Sequence, residues 1–209
     1  MPAEKPAHQR PELPDFWDQR FRSGVTPWET GSAPTALREF AANHDADAHA
    51  SSGAAPRVLI PGCGSAWDAA FLDSAGWEVS ALDFSQAAVD TARGTLGDGW
   101  RGRLLCTDFF TYEADAPFDV IYERAFLCAL PRALWPDYAP RMAKLLRPGG
   151  LLAGSFFITD EPKGPPFGIL PQQLEDLLTP HFIRRADRAL EDSLPVFSGR
   201  ERWQVWERR

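Results

Sequence analysis

From Pro56 onward, short apolar runs alternate with helix-like stretches. RVLIP (57–61) predicts a first strand, a glycine turn follows it, and WDAAFLDSAG predicts a helix. WEVSALD (77–83) predicts a second strand, and SQAAVDTARGTL a helix whose opening serine caps free N–H groups. GRLLCTDFF (102–110) and FDVIYER (118–124) are strand-like. A helix over about 132–146 ends at RPGG, and LLAGSFFIT (151–159) predicts the next strand. Repeated strand–helix–strand units mean parallel pairing with helices on both faces of the sheet. The last quarter differs: a Pro/Gly loop (160–168) and a short helix (171–179) precede HFIRRADRAL and GRERWQVWER, a terminal antiparallel strand pair at the sheet edge. The expected fold is α/β and Rossmann-like, with a seven-stranded, mostly parallel sheet.

Outside this core (56–209), residues 1–14 are rich in proline and charge and predict a flexible lead-in. Residues 15–40 hold an aromatic helix within PDFWDQRFRSG and the loop VTPWETG. Residues 41–55, AANHDADAHASSGAA, are small and polar and predict a flexible linker. Residues 15–209 are therefore expected to form a single domain.

Composition narrows the function. The chain has 209 residues, 44% of them hydrophobic and 24% charged, with a net charge of −7. That sign repels phosphate backbones and anionic membranes, and no local basic patch offsets it, so a small-molecule substrate is expected rather than nucleic acid. No apolar run reaches the roughly 20 residues of a membrane helix, and the N-terminus lacks the apolar core of a secretory signal. Cys63, Cys106 and Cys128 are an odd number without paired spacing, as expected of reduced thiols in the cytoplasm. The four histidines are scattered without metal-ligand spacing, so no metal is expected. Without heptads, a monomer is expected.

The candidate chemistry begins at Pro61-Gly62-Cys63-Gly64-Ser65-Ala66-Trp67, directly after the first strand. Gly62 and Gly64 let the backbone approach a ligand closely. Asp83, nineteen residues after Gly64, ends the second strand, where a carboxylate can accept hydrogen bonds from both hydroxyls of a ribose. Two cofactor classes use this layout. A dinucleotide needs G-x-G-x-x-G beside its pyrophosphate, and Trp67 stands at the third glycine position. S-adenosylmethionine has no phosphate and needs only the G-x-G part and the ribose acid. Asp108, at the end of the third strand, is placed to receive an adenine amino group, with Phe109 against the ring.

FWDQRFRSGVTPWETG, VLIPGCGSAWD, VSALDFS, LLCTDFFTY and FDVIYERAFLCALP together resemble the thiopurine S-methyltransferase family, from about Phe16 to the C-terminus. The resemblance implies a class I methyltransferase that transfers a methyl group from S-adenosylmethionine to a small soft nucleophile and releases S-adenosylhomocysteine. The acceptor class runs from thiols to sulfide, halide, thiocyanate and other chalcogen species. It also implies that the aromatic segment 15–40 is a lid. Trp17, Phe21 and Trp28 fall on cofactor-contacting positions, as do Gly62, Asp83, Asp108 and Phe109, and Arg124 falls beside the transferring methyl group. GVTPWE, GPPF (164–167) and GRERW are similar to the halide and thiol methyltransferase branch, which carries Tyr where this chain has Arg124; the thiopurine branch carries Arg there.

A thiolate or a halide arrives already anionic and needs no strong base, consistent with the lack of an evident catalytic histidine. Arg124 would hold the anion, unless it is a structural ion pair with Glu123 or Asp119. Trp17 and Trp28 would close over the sulfonium as aromatic faces over a cation. Phe157, Phe167 and Phe197 are candidates for the rest of the pocket wall. The expected reaction is thiol S-methylation, with halide or thiocyanate methylation as the alternative. A catalytically idle S-adenosylmethionine-binding module is the rival from another class.

Overall fold

Side chains alternate across each strand, and here the alternation sorts the apolar residues into two cores. The computed structural model describes residues 5–51, 55–197 and 199–209. Seven strands form one sheet: β1 (Arg57–Pro61), β2 (Glu78–Asp83), β3 (Arg103–Cys106), β4 (Phe118–Arg124), β5 (Leu146–Phe157), β6 (Phe182–Ala189) and β7 (Glu201–Arg208). Their order is β3-β2-β1-β4-β5-β7-β6, parallel from β3 to β5, with β7 antiparallel to both β5 and β6.

Val58 and Ile60 of β1, Val120 and Tyr122 of β4, and Ala153 of β5 face one side of the sheet. There they meet α2 (Thr35–Ser51), α3 (Trp67–Ser74) and α4 (Gln86–Leu96) through Leu37, Leu72 and Ala92. Leu59, Ile121 and Leu152, one position along, face the other side, against α5 (Trp135–Leu145) and α6 (Pro171–Leu178) through Tyr138, Met142, Leu174 and Leu178. Ser85 caps α4 as the sequence predicts, its hydroxyl accepting from the Ala88 N–H at 3.2 Å. The strand order reverses between β1 and β4, and the crevice at the carboxyl ends of those strands is where open α/β sheets bind ligands.

Three expectations change. α2 continues to Ser51, through most of the stretch read as a linker; alanines at 42, 46, 48 and 50 carry no helix cost and outweigh the polar residues between them. Residues 52–54 of that stretch lie outside the described residues. The lead-in is partly ordered: Ala7–Gln9 make a 3-10 turn, and the Pro11 carbonyl accepts the Trp17 Nε1–H at 2.8 Å; residues 1–4 lie outside the described residues. RPGG does not separate α5 from its strand. β5 starts at Leu146, and these residues form a bulge: Phe118 pairs with Leu146 but Val120 pairs with Leu151.

Candidate functional site

Beyond β1 the chain turns through Gly62, Cys63 and Gly64. φ is +61° at Gly62 and +53° at Gly64, the left-handed region that side chains disfavour. Space excludes a side chain as well. A Cβ on Gly62 would lie 2.6 Å from the Phe126 ring, and one on Gly64 would lie 2.8 Å from Glu29 Oε1. The Cys63 N–H donates to Leu82 O at 2.8 Å and ties the turn to the end of β2. Asp83 follows directly, accepting the Gly64 N–H at 3.1 Å and the Ser85 N–H at 2.9 Å on separate carboxylate oxygens. Burial lifts its pKa to about 6 against these two hydrogen bonds, with the charges of Asp18 and Glu29 pushing the same way as burial.

The N-terminal segment lies over this turn. α1 (Pro14–Arg22) opens with a proline, where a missing N–H costs nothing. It docks on the start of α4 through Asp18, whose Oδ1 accepts the Ser85 hydroxyl at 2.6 Å and the Ala87 N–H at 3.0 Å. The Trp17 ring meets Trp28 edge-on with centroids 5.6 Å apart, and Phe21 meets Trp28 at 6.2 Å. Next to Trp28, Glu29 accepts the Ser65 N–H at 2.7 Å and the Ser65 hydroxyl at 2.6 Å. The segment is thus fastened at α4 by one carboxylate and at the glycine turn by another.

Between segment and sheet lies a cavity of about 330 Å³. Trp17, Phe21, Trp28, Gly62, Gly64, Asp83, Asp108, Phe109 and Arg124, the nine residues singled out from the sequence, all line it. Asp108 is exposed and accepts the Phe110 N–H at 2.8 Å, while Phe109 is buried. Ala66 and Ala125, the non-glycine residues with positive φ among those described, line it too, an arrangement typical of functional sites. Of the three phenylalanines expected in its wall, Phe197 is in place. Phe157 packs behind Phe197 at 5.2 Å between ring centroids, and Phe167 lies against Cys128 and Ile169 in a neighbouring niche.

Arg124 does not pair with Glu123 or Asp119. Its Nη1 lies 3.5 Å from Asp68 Oδ1 and 3.4 Å from Thr30 Oγ1. Burial works against its charge, but Asp68, Tyr122 and Glu201 outweigh it and raise its pKa. Glu123 points the other way, into the protein, and accepts the Phe126 N–H at 3.0 Å, the Leu127 N–H at 3.4 Å and the Tyr138 hydroxyl at 3.1 Å. It thereby fixes the turn after β4, and burial raises its pKa to about 7. Asp119 pairs with Arg147 at 2.6 Å.

Sequence reasoning missed Glu29 and Asp68. Glu29 sits in a loop without periodicity, and its only signal is its place beside Trp28 in TPWET. Asp68 lies in the first turn of α3, where an acid is ordinarily explained by the helix dipole. Together the residues fit a nucleoside with a cationic centre: a buried carboxylate for vicinal hydroxyls, a glycine turn without room for side chains, and aromatic faces for the cation. Among the described residues, no group of three or more His, Cys, Asp and Glu side chains is placed to hold a metal ion.

Known proteins bear on this geometry. The family model for thiopurine S-methyltransferase (TPMT) matches residues 13–209. A probable thiol methyltransferase 2 of Arabidopsis thaliana is 33% identical over 170 residues, covering 78% of this chain and 71% of the relative. Thiocyanate methyltransferase 1 of Brassica oleracea is 30% identical over 217 residues, covering 100% of this chain and 92% of the relative. In fold, the chain matches the 1,6-didemethyltoxoflavin-N1-methyltransferase of Burkholderia thailandensis, solved with bound S-adenosylhomocysteine, at a TM-score of 0.71 and 21% identity; the match covers 100% of this chain and 92% of that one.

Proposed function

The chain belongs to the thiopurine S-methyltransferase family, and from that premise we propose that its methyl acceptor is a small thiol, held as its anion beside Arg124. The protein is an S-adenosylmethionine-dependent methyltransferase. When bound, that cofactor supplies a methyl group on a sulfonium, open to in-line attack, and the protein's part is to orient and desolvate.

In this reading Asp83 accepts the ribose hydroxyls, with Gly62 and Gly64 giving the backbone close approach. Asp108 and Phe109 take the adenine end. Residues 15–40 serve as the lid: Trp17, Phe21 and Trp28 set aromatic faces over the cationic centre and exclude water from the nucleophile. Trp28 also packs on the group formed by Cys128, Phe157 and Phe197, which links lid closure to the acceptor end. Free cysteines throughout support a reducing compartment, the cytoplasm.

The observation that carries the proposal is the place of Arg124. Arg20, the other arginine lining the cavity, is spent on Phe16, with its guanidinium 3.4 Å from the ring centroid and Nη1 donating to the Phe16 carbonyl at 2.9 Å. Arg124 shares Nη1 with Asp68 and Thr30, but its guanidinium lines the cavity and has further N–H donors. It is placed to hold an anion and to favour thiolate over thiol. Arg124→Ala is expected to lower kcat/KM for a thiol at least about 100-fold while changing S-adenosylhomocysteine affinity by less than about 5-fold, since a charged contact made to the acceptor is lost. Equal losses in both would remove Arg124 from the acceptor site. Thiocyanate or halide methylation is the second reading, favoured by the full-length similarity to the Brassica relative.

A further inference from the structure

A thiol with an ordinary pKa near about 8.5 is mostly protonated at neutral pH, so its proton must leave before sulfur attacks. Five carboxylates line the cavity: Glu12, Glu29, Asp68, Asp83 and Asp108. Four are engaged. Glu12 takes Arg10 at 2.9 Å, Glu29 takes Ser65, Asp83 takes two N–H groups, and Asp108 takes the Phe110 N–H. Asp68 differs. It is ion-paired with Arg124, whose Nη1 lies 3.5 Å from Asp68 Oδ1, and the Tyr122 side chain also favours its anion. No N–H or O–H, however, donates to the buried Oδ1 with hydrogen-bond geometry. We infer that Asp68 is the proton acceptor for a neutral thiol bound beside Arg124. This rests on the thiol reading above.

The two side chains divide the work. The S–H bond breaks, its electron pair stays on sulfur beside Arg124, and the proton passes to the Asp68 carboxylate. The sulfur pair then forms the S–C bond to the methyl group as the sulfonium C–S bond breaks, its pair leaving with S-adenosylhomocysteine. Asp68 afterwards gives its proton to solvent. Burial lifts Asp68 to about 6 against the opposing pull of Arg124, which makes it a stronger base than an ordinary carboxylate yet ionised at neutral pH. Besides Arg124, the titratable groups facing Asp68 are Tyr122 of β4 and Glu29 of the lid; Arg124 in turn faces Glu201 and Asp192. None of these is a competing base for a ligand at Oδ1: Glu29 is fastened to Ser65, and Glu201 accepts the Ser193 hydroxyl at 2.6 Å.

The test uses two acceptors, an alkanethiol and an aromatic thiol acidic enough to be ionised in solution, with wild type, Asp68→Asn and Asp68→Glu. Thermal melts and S-adenosylhomocysteine titration establish first that each variant folds and binds. At saturating cofactor, Asp68→Asn should lose about 100-fold more kcat/KM with the alkanethiol than with the ionised thiol, and Asp68→Glu should recover part of the loss. Wild-type kcat/KM for the alkanethiol should plateau between about pH 6 and the pKa of the thiol, whereas Asp68→Asn should rise with unit slope across that range. A second readout involves no turnover. Calorimetry of alkanethiol binding to the S-adenosylhomocysteine complex, in buffers of different ionisation enthalpy, counts protons. Wild type should release none, because the proton stays on Asp68, and Asp68→Asn about one. Equal losses for both acceptors, with weakened S-adenosylhomocysteine binding, would overturn the inference and give Asp68 to the cofactor. Identical proton counts would also overturn it. A wild type that binds cofactor but turns over neither thiol would instead bring down the thiol reading, and this inference with it.

Discussion

In the proposed function Asp83 takes two ribose hydroxyls, and it must be ionised to do so while it also holds the Gly64 and Ser85 N–H groups. Its pKa in the free protein is about 6, and binding favours the anion. Affinity is therefore full above this value and lost as the pH falls through it. Titration of S-adenosylhomocysteine should give a constant Kd above about pH 7 and a Kd rising about tenfold per pH unit below about 5.5, and Asp83→Asn should bind weakly without this dependence. Gly64→Ala tests the close approach. The new Cβ, at a φ of +53°, meets Glu29 Oε1 at 2.8 Å, so cofactor affinity should fall at least about tenfold while the fold, judged by circular dichroism, persists. At this scale the meeting of the glycine turn with Asp83 in one cavity was legible in the sequence, because a turn after one strand and an acid at the end of the next follow from strand spacing alone. The acceptor end was less so. The partner of Arg124 is Asp68, from a helix more than fifty residues upstream, and no periodicity in the sequence pairs them.

Among the elements, α1 packs on α4 and is hydrogen-bonded to its start through one carboxylate, Asp18. Burial works against the ionised form of Asp18, yet the Ser85 hydroxyl and Ala87 N–H hold its pKa below the usual carboxylate range. Its contribution is therefore present above that range and lost as the pH falls through it. Asp18→Ala should cost about 1–2 kcal/mol in urea unfolding, the value of a helix cap with an added charged hydrogen bond. Trp28→Ala removes the ring that joins Trp17 and Phe21 to Phe197. Isothermal titration should show cofactor binding weakened about 3- to 30-fold, as loss of a cation–aromatic contact worth about 0.5–2 kcal/mol requires. Unchanged affinity would defeat the lid. Most element boundaries were readable: β1 and β4 begin and end where the apolar runs do. Where reading failed, a local preference was overruled. Alanines carried α2 through a polar stretch, and β-pairing with β4 absorbed RPGG as a bulge.

Across the whole molecule, four carboxylates among the described residues have raised pKa values: Asp68 and Asp83 at about 6, Glu123 at about 7, and Glu201, which burial also pushes up. Each binds its proton more tightly folded than unfolded, so together they make the cofactor-free protein less stable as the pH rises from about 4 to about 7. Asp18 and Asp119, with lowered values, act in the opposite sense at lower pH. The cofactor-free melting temperature should therefore be higher at about pH 5.5 than at about 7.5. The increase produced by saturating S-adenosylhomocysteine should be larger at about pH 7.5, where Asp83 is ionised. The seven mostly parallel strands and the antiparallel C-terminal pair were predictable from the alternation of runs; their order in the sheet came from the structure. The seating of the N-terminal segment on the sheet was not, because it is made by scattered polar contacts rather than by a repeating pattern.

The methyl acceptor is identified most directly by methyl transfer itself. S-adenosylhomocysteine formation should be followed with an alkanethiol, an aromatic thiol, a thiopurine, thiocyanate, iodide and a catechol under identical conditions. Turnover led by the thiols, with the catechol inert, is the result predicted here. Methylation of the catechol ahead of every thiol, or no turnover of any acceptor while the cofactor binds, would contradict it.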